Sequence, residues 1–569
     1  MMRTGRSMKT INDFTIEPYI PSPIFGPDDW VSVDIESFGM KKGKFHRPIG
    51  DFACLALTND GERVWIYKNV EDLGIFWRSI EDANLIFQNA TFDVYHLRRW
   101  MQFPTRESFH DTLLIDRILW GGYYEEFNLK ALTRRYLKAY MEKETRNTFE
   151  KANTLTDEMI EYNARDAVVQ WRIAQDQMKL MKKSHRRVWC EADLPAMWGF
   201  LDFKGPLIDS ERWREVAEEN ARVAGEMFDD YQKRFGINPR APGQVKAFLE
   251  KKYNITLENT LAETLEKIAN KYPEAQEILD YRKIEKRRST YGLSWLKKHV
   301  EGDGRVYTEY DVNMAESGRT ASRNPNIQNI PVRETPVFRE CFIAGEGNIL
   351  VGGDYAQQEI RCAAYLSQDE NLIELLASGR DIYSEIASMI HGETIEKSDP
   401  RRQAAKSVVL GTIYGLTPFG LARRERMSEE DAETLMNKFF GLFPRLKSWM
   451  DKQQRATDYV RTALGRKSWL NPYNKQAKRN ALNSPPQGSA ADMMKVAVGL
   501  LHKRWDTRQE SFAAILQVHD ELVLEVKEKN ADYAKELLHT CMLEAGERVI
   551  PGIQTVVDIR IGSRWSDVH

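Results

Sequence analysis

No run of about 18 consecutive apolar residues occurs anywhere in the chain, which excludes a helix that spans a bilayer. The opening "MMRTGRSMKTINDF" lacks the apolar stretch of a secretion signal, so a cytoplasmic protein is expected. Cysteine is scarce: Cys54, Cys190, Cys341, Cys362 and Cys541 are scattered, odd in number and without metal-ligand spacing, and read as buried thiols. Internal repeats and low-complexity tracts are missing. An excess of one charge is missing too, since 82 Lys and Arg face 84 Asp and Glu. A near-neutral chain that handles a polyanion must gather its cations in one channel and its carboxylates elsewhere.

What is present is the composition of a soluble globular protein, 42% hydrophobic and 29% charged. A length of 569 residues exceeds one core and suggests roughly three or four domains. From 30 to about 185, strands such as "WVSVDIESF", "FACLAL" and "RVWIY" alternate with helical patterns, an α/β layout. From about 186 to 300 the pattern is helical and rich in Glu, Lys and Arg, broken by the loop "GINPRAPGQ". Strands return after 301 among long helices. Within the helical stretch, "YRKIEKRRSTYG" places cations at 282, 283, 286, 287 and 288; alone it fits a solvated helix face.

In "WVSVDIESF", Val31, Val33 and Ile35 alternate with Ser32, Asp34 and Glu36, so both carboxylates leave one face of a strand. That pair alone also fits a wet strand face. "QNATFDVYHL" adds Asp93 at a strand-to-helix junction. "LTDEMIEYNARDAVVQW" reads as a helix capped by Thr156, with Tyr162 and Asp166 four residues apart on one face. Four carboxylates and a phenol suit a pair of hard divalent cations. The ordered set Asp-x-Glu, Asn-x-x-x-Asp, Tyr-x-x-x-Asp resembles the DEDDy 3′–5′ exonucleases. The resemblance implies that Asp34, Glu36, Asp93 and Asp166 bind metal and that Tyr162 orients the attacking water.

A second constellation lies further on. "NILVGGDYAQQEIR" is an apolar strand ending at Asp354, and "FAAILQVHDELVLEV" reads as two strands whose turn exposes Asp520 and Glu521. In "RRQAAKSVVLGTIYG", Arg402, Lys406, Leu410 and Tyr414 stand four residues apart along one slowly turning helical face. Two cations followed by an aliphatic and a phenol match a ligand charged at one end and flat at the other. "DYAQQEIR", "RQAAKSVVLGTIYG" and "QVHDE" are similar to motifs A, B and C of family A DNA polymerases, the DNA polymerase I family. "SGRTASRNPNIQNIPVR" resembles its duplex-gripping segment, "RNALNSPPQGSAADMMK" its template-contacting helix and "YRKIEKRRSTYG" its thumb.

The resemblance implies a ribonuclease H-like exonuclease domain over 1–185, thumb and connecting helices over 186–300, and palm and fingers over 301–569, with fingers about 370–480. It implies two magnesium ions per active site, with manganese an accepted substitute, held in the polymerase half by Asp354, Asp520 and the backbone carbonyl of Tyr355. Arg402 and Lys406 hold the triphosphate, and Lys406 also protonates the leaving pyrophosphate. Gln357 lies near the incoming sugar and Glu359 is the steric gate against ribonucleotides. Arg319, Asn326, Gln328, Asn329, Arg479, Asn483 and Gln487 touch primer–template DNA, and His519 and Glu521 flank the primer terminus. The expected activity is proofreading DNA synthesis from deoxynucleoside triphosphates by a monomer, with no membrane partner and room for replication accessory proteins.

Several positions depart from the family pattern. Gln403 replaces a second Arg, Tyr383 a His near the triphosphate, and Leu410 a Phe or Tyr. No 5′-nuclease region precedes residue 30 and no insert for a processivity factor interrupts the thumb, a compact layout that resembles phage replicative enzymes. Two other readings remain: a 3′–5′ exonuclease with a non-catalytic DNA-binding polymerase-like half, and a single-subunit RNA polymerase. Asp354, Lys406, Tyr414 and Asp520 oppose the first, and Glu359 with the exonuclease motifs opposes the second.

Overall fold

The computed structural model describes residues 9–17, 22–39, 50–141, 146–331, 337–471, 473, 476–508 and 510–569. Residues 1–8 of the opening stretch and 332–333 of the "SGRTASRNPNIQNIPVR" segment lie outside the described residues.

The first unit is a six-stranded sheet of β1 (Thr15–Ile16), β2 (Trp30–Phe38), β3 (Asp51–Thr58), β4 (Arg63–Tyr67), β5 (Asn84–Phe87) and β6 (Phe109–Asp111), in the order β1-β4-β3-β2-β5-β6. The alternation read in "WVSVDIESF" is the reason β2 is interior. It pairs antiparallel with β3 and parallel with β5, and Val31, Val33 and Ile35 are buried in the core on one face. The opposite face of the sheet buries Ala53, Ala56 and Ile66 against Ile160, Ala164 and Val168. Helices α1 (Ala90–Met101) and α2 (Thr112–Trp120) follow β5 and β6, and α3 (Asp157–Leu180) lies across β2 and β3. Thr156 caps α3 as expected, its hydroxyl accepting from the Met159 amide.

The helical stretch contains α4 (Ser210–Phe235) and α5 (Pro273–Thr290), packed together. Tyr231 of α4 and Ile278 of α5 share a small core with Val245, Leu249 and Leu265. One short strand escaped the sequence reading here: Leu207–Ile208 pairs with Phe342–Ile343. Two residues carry too little periodicity to announce themselves.

The last unit begins with a hairpin of β7 (Glu309–Asp311) and β8 (Ala321–Arg323). Its main sheet is antiparallel, with β9 (Asn348–Tyr355), β10 (Ala514–Val518), β11 (Glu521–Lys527) and β12 (Val557–Gly562) in the order β10-β11-β9-β12. Gly353 in β9 has a packing reason: a Cβ there would stand 2.7 Å from the Met542 sulfur. Helix α6 (Gln358–Ser367) leaves the end of β9. Helices α7 (Ile382–His391) and α8 (Pro400–Ile413) share a separate core that includes Ile386, Val408, Val409 and Ile413. Helices α9 (Ala477–Arg504) and α10 (Ala531–Val549) pack together, α10 also against β9.

Two expectations need correction. The turn between β10 and β11 is only His519 and Asp520; Glu521 opens β11 and is buried rather than exposed. Cys190 is exposed, on the short helical segment Trp189–Asp193, whereas the other four cysteines are buried. Among the described residues, no helix is long and apolar enough to cross a membrane.

Candidate active sites

The first site forms where α3 crosses β2. The period of two brings Asp34 and Glu36 to one face, and α3 delivers Asp166, so that one oxygen from each lies within 4.8 Å of the others. Asp34 is held by two amides of α3: Asn163 Nδ2 donates to Oδ2 at 2.7 Å, and Gln170 Nε2 donates to Oδ1. Asp93, in the first turn of α1, lies outside that tightest group of three. It is buried, accepts from the Ile35 amide at 3.3 Å, and lines the same cavity of about 270 Å³ with Tyr162. Burial, then the neighbouring Asp34 charge, raises the Asp93 carboxyl well above the usual range. Carboxylate oxygens this crowded fit hard divalent cations, which neutralise the repulsion.

The second site lies at one end of β9. Asp354 stands opposite Glu521 of β11 and Asp558 of β12 in the sheet register, and the Tyr355 amide donates to the Asp520 carbonyl at 3.2 Å. Burial first, then repulsion from Asp520, Glu521 and Asp558, pushes the Asp354 carboxyl up to about 8. Burial likewise raises Asp520. Two half-buried carboxylates destabilised in their charged form are a donor set suited to a divalent cation. The Tyr355 ring points away into the core, its hydroxyl donating to the Met542 carbonyl at 2.8 Å.

Glu521 is 2% exposed and fully engaged. Trp565 Nε1 donates to its Oε1 at 3.0 Å, and Arg339 Nη1 and His569 Nδ1 lie 3.4 and 3.2 Å from Oε2. Its place is therefore beneath the turn, while His519 is exposed at the turn and Asp520 half-buried. Arg339, itself 2% exposed and stacked 3.9 Å over the Trp565 ring, was missed by sequence reasoning. So was Asp558, which no motif flags.

Arg402, Lys406 and Leu410 fall on α8 as the spacing predicts, and Tyr414 is the residue that ends it. Arg402 has a partner that sequence reasoning missed: its Nε and Nη2 donate to Asp381 at 2.9 and 2.7 Å. Asp381 also caps α7 through the Ser384 amide, and the Arg402 hydrogen bonds hold its carboxyl down at about 2. The Tyr383 ring serves both cations, 5.4 Å from the Arg402 guanidinium and 5.5 Å from Lys406 Nζ. Gln403 faces solvent, and Leu410 is half-buried against the α7–α8 core. At the start of α6, Gln357 has a left-handed backbone (φ 55°), and Glu359 pairs with Arg319. Burial raises the Glu359 carboxyl, a shift that Arg319 opposes.

A groove of about 920 Å³ separates α5 from the segment 324–331, with Lys283, Lys286, Arg287, Asn326 and Asn329 on its walls. Only three of the five cations read as a cluster line it. Arg282 turns inward to Thr260, and Arg288 pairs with Glu285 at 2.8 Å. Gln328 is tied to the base of the β10–β11 turn, its Nε2 donating to Gln517 Oε1 at 3.0 Å. Gln517 is another residue the sequence reading did not single out. Arg479, Asn483 and Gln487 recur every four residues along α9, with Arg479 exposed. The buried Asn483 Oδ1 has no hydrogen-bond partner among the described residues.

Comparison with known proteins agrees with this architecture. Residues 210–567 match the model of DNA polymerase family A, and residues 29–182 match that of a 3′-5′ exonuclease. The chain belongs to DNA polymerase family A, with an N-terminal 3′-5′ exonuclease domain before its polymerase domain. It is 32% identical to DNA polymerase I of Lactococcus lactis subsp. cremoris over 416 residues, 68% of this chain and 46% of that protein. It is 35% identical to the thermostable DNA polymerase I of Thermus aquaticus over 402 residues, 66% of this chain and 47% of that protein. The chain thus spans about half the length of the curated relatives it matches. A solved structure of the POL domain of Pol1 from M. smegmatis, in complex with DNA primer-template and dNTP, is similar with a TM-score of 0.82. That match has 25% sequence identity and covers 95% of this chain and 96% of that one. The fold is accordingly a ribonuclease H-like exonuclease domain followed by a palm, fingers and thumb polymerase domain.

Proposed function

We propose that the chain is a template-directed DNA polymerase that extends a primer with deoxynucleoside triphosphates and removes misincorporated 3′ ends with its exonuclease domain. The observation that carries this reading is a single one. One chain combines two separate carboxylate clusters, around Asp34 and around Asp354, with a helix bearing Arg402 and Lys406 in the same half as the second. The working units are the exonuclease domain at 1–185, thumb and connecting helices at 186–300, and palm and fingers at 301–569, with fingers about 370–480.

Asp354, Asp520 and the Tyr355 carbonyl would hold magnesium in the palm, and Asp34, Glu36, Asp93 and Asp166 would hold it in the exonuclease site. Bound there, the metal supplies Lewis-acid activation of an attacking oxygen and neutralises phosphate charge. Phosphoryl transfer leaves the protein mostly positioning and electrostatic stabilisation. Arg402 exchanges the Asp381 carboxylate for the triphosphate, and Lys406 binds beside it and can pass a proton to the leaving pyrophosphate. Tyr383 gives both cations one aromatic ring to lie against. Glu359, fixed by Arg319, occupies the space a 2′-hydroxyl needs. Tyr162 aligns water in the exonuclease site. Thumb cations Lys283, Lys286 and Arg287 take backbone phosphates, which gives affinity without sequence preference.

Primer extension on a primed template with all four deoxynucleotides tests the reading. Wild-type protein extends, and Asp520→Asn does not while still degrading a 3′ end. A wild-type chain that degrades but never extends would leave only the exonuclease with an inert partner domain.

A further inference from the structure

The cavity that holds Asp34, Glu36 and Asp166 is not closed by the exonuclease domain alone. Asp311 and Arg323, at opposite ends of the β7–β8 ladder in the polymerase half, also line it, Asp311 paired with Ala321 and Arg323 with Glu309. The hairpin is fixed in that position. Arg117 of α2 pairs with Asp311 at 2.5 Å, with each side chain only 13% exposed. Two residues on, Asn313 Nδ2 donates to the Leu114 carbonyl at 3.1 Å.

Arg117 and Arg323 are the cations among the residues that line this cavity, and they differ in what they can offer. Arg117 is committed to Asp311. Arg323 is 55% exposed, and its Nε donates to Glu309 Oε2 at 2.8 Å, which orients the guanidinium from behind. Among the described residues its Nη1 and Nη2 meet no hydrogen-bond partner. That leaves a planar two-pronged donor edge, the geometry that binds a phosphate. Arg323 also borders a neighbouring cavity of about 160 Å³ walled by Phe92, Tyr95 and Phe200. A phosphate-binding edge between a carboxylate cavity and an aromatic one suits a single strand, whose backbone is anionic and whose bases stack.

We infer that Arg323 of the polymerase half is a substrate-binding residue of the exonuclease site, taking a non-scissile phosphate of the single strand through Nη1 and Nη2. The inference rests on the nuclease reading of the Asp34 site. It makes the exonuclease site a product of both halves of the chain, because the exonuclease carboxylates repel the strand that they must receive. Asp311 and Glu309 have separate tasks: one docks the hairpin, the other aims the guanidinium.

The test uses the full chain and a 5′-labelled single-stranded oligonucleotide, with initial rates of 3′ degradation over a range of salt. Arg323→Ala is expected to raise KM about tenfold with kcat within about twofold, as loss of one charge-assisted contact does. The slope of log(kcat/KM) against log[salt] should become shallower by about 0.7, the share of one phosphate contact to a single strand. Arg323→Lys should recover most of the salt slope. A merely structural role would not move that slope, so an unchanged slope and KM in Arg323→Ala overturn the inference, as does a fall in kcat alone. A wild-type chain that degrades nothing overturns the nuclease reading and this inference together; a degrading wild type with an unaffected variant overturns only the inference.

Discussion

Four charged side chains that no motif reading joined sit in the middle of the chain with almost no solvent contact. Arg466 donates to Asp193 Oδ2 and Oδ1 at 2.9 and 2.5 Å and to Asp492 Oδ1 at 2.9 and 2.7 Å. Lys495 Nζ reaches Asp193 Oδ1 at 2.5 Å and Asp492 Oδ1 at 3.3 Å, and every member is 3% exposed or less. The group is neutral as a whole, and burial, which alone would raise the Asp193 carboxyl, is outweighed by its two cations, which hold it below the usual range. Asp193→Asn removes one of two negative charges and leaves Arg466 and Lys495 facing Asp492 alone. Breaking a buried ion network from one side costs about 3–5 kcal/mol, because an uncompensated charge remains out of water. Asp193→Asn with Lys495→Met restores neutrality as a simple Arg466–Asp492 pair. The double variant should therefore lose less than the two single losses added, by at least about 2 kcal/mol. Urea unfolding followed by tryptophan fluorescence, compared at equal m-value, measures each corner of the cycle. A single variant that costs under about 1 kcal/mol, or losses that simply add, would refute the assignment of this quartet as a coupled unit. The consequence reaches the candidate polymerase site: Lys495 Nζ also donates to the Gly318 carbonyl at 3.0 Å, directly before the Arg319 that holds Glu359.

Three further outcomes are expected. Leu410→Phe supplies a ring for stacking and should speed single-nucleotide addition about fivefold, at the low end of ~1–3 kcal/mol for base–aromatic contacts; Leu410→Tyr should in addition accept dideoxynucleotides that the wild type rejects, and equal dideoxy use by both would contradict this. Asp34→Ala with Glu36→Ala should abolish 3′ degradation and leave extension intact, read on one labelled primer. His110 is lowered from 6.5 to about 4, chiefly by burial. The neutral ring is the folded form, so stability is full above pH 6.5 and falls as pH drops toward 4, by about 3 kcal/mol in all. His110→Gln should remove that part of the slope in urea midpoints between pH 7 and 4.5, leaving the part that buried His185, also lowered to about 4, contributes in the same direction. An unchanged slope would place the titration elsewhere.

What was legible in the sequence is what local periodicity encodes. The period of two in "WVSVDIESF" was enough to put Asp34 and Glu36 on one face, and the four-residue steps were enough to align Tyr162 with Asp166 and Arg402 with Lys406. Periodicity says where a side chain points, not what arrives to meet it. Two strands joining at "HDE" predict an exposed Glu521; it is buried because Arg339, Trp565 and His569 come from distant segments to enclose it. The five-cation run looks like one cluster in the sequence, yet Arg282 and Arg288 find partners within the protein. Asp193 and Lys495 are far apart in the chain, and nothing local to either residue announces the other.

The pairing of Arg402 with Asp381 shows why that distinction matters for function. Spacing alone offers the triphosphate two cations, Arg402 and Lys406. The structure adds a carboxylate that already occupies the donor edge of one of them, and Gln403 brings no replacement charge. Under the proposed function, nucleotide binding at this site would be an exchange of one anion for another, not an addition to a free cation. A triphosphate carries more charge than a carboxylate and offers more acceptor oxygens to the guanidinium fork, so on that reading the exchange would run toward the nucleotide. The carboxylate is not merely a competitor, because it ties the guanidinium fork to the start of α7, next to the Tyr383 ring that both cations approach. Affinity is surrendered for geometry, and geometry is what an in-line transfer requires.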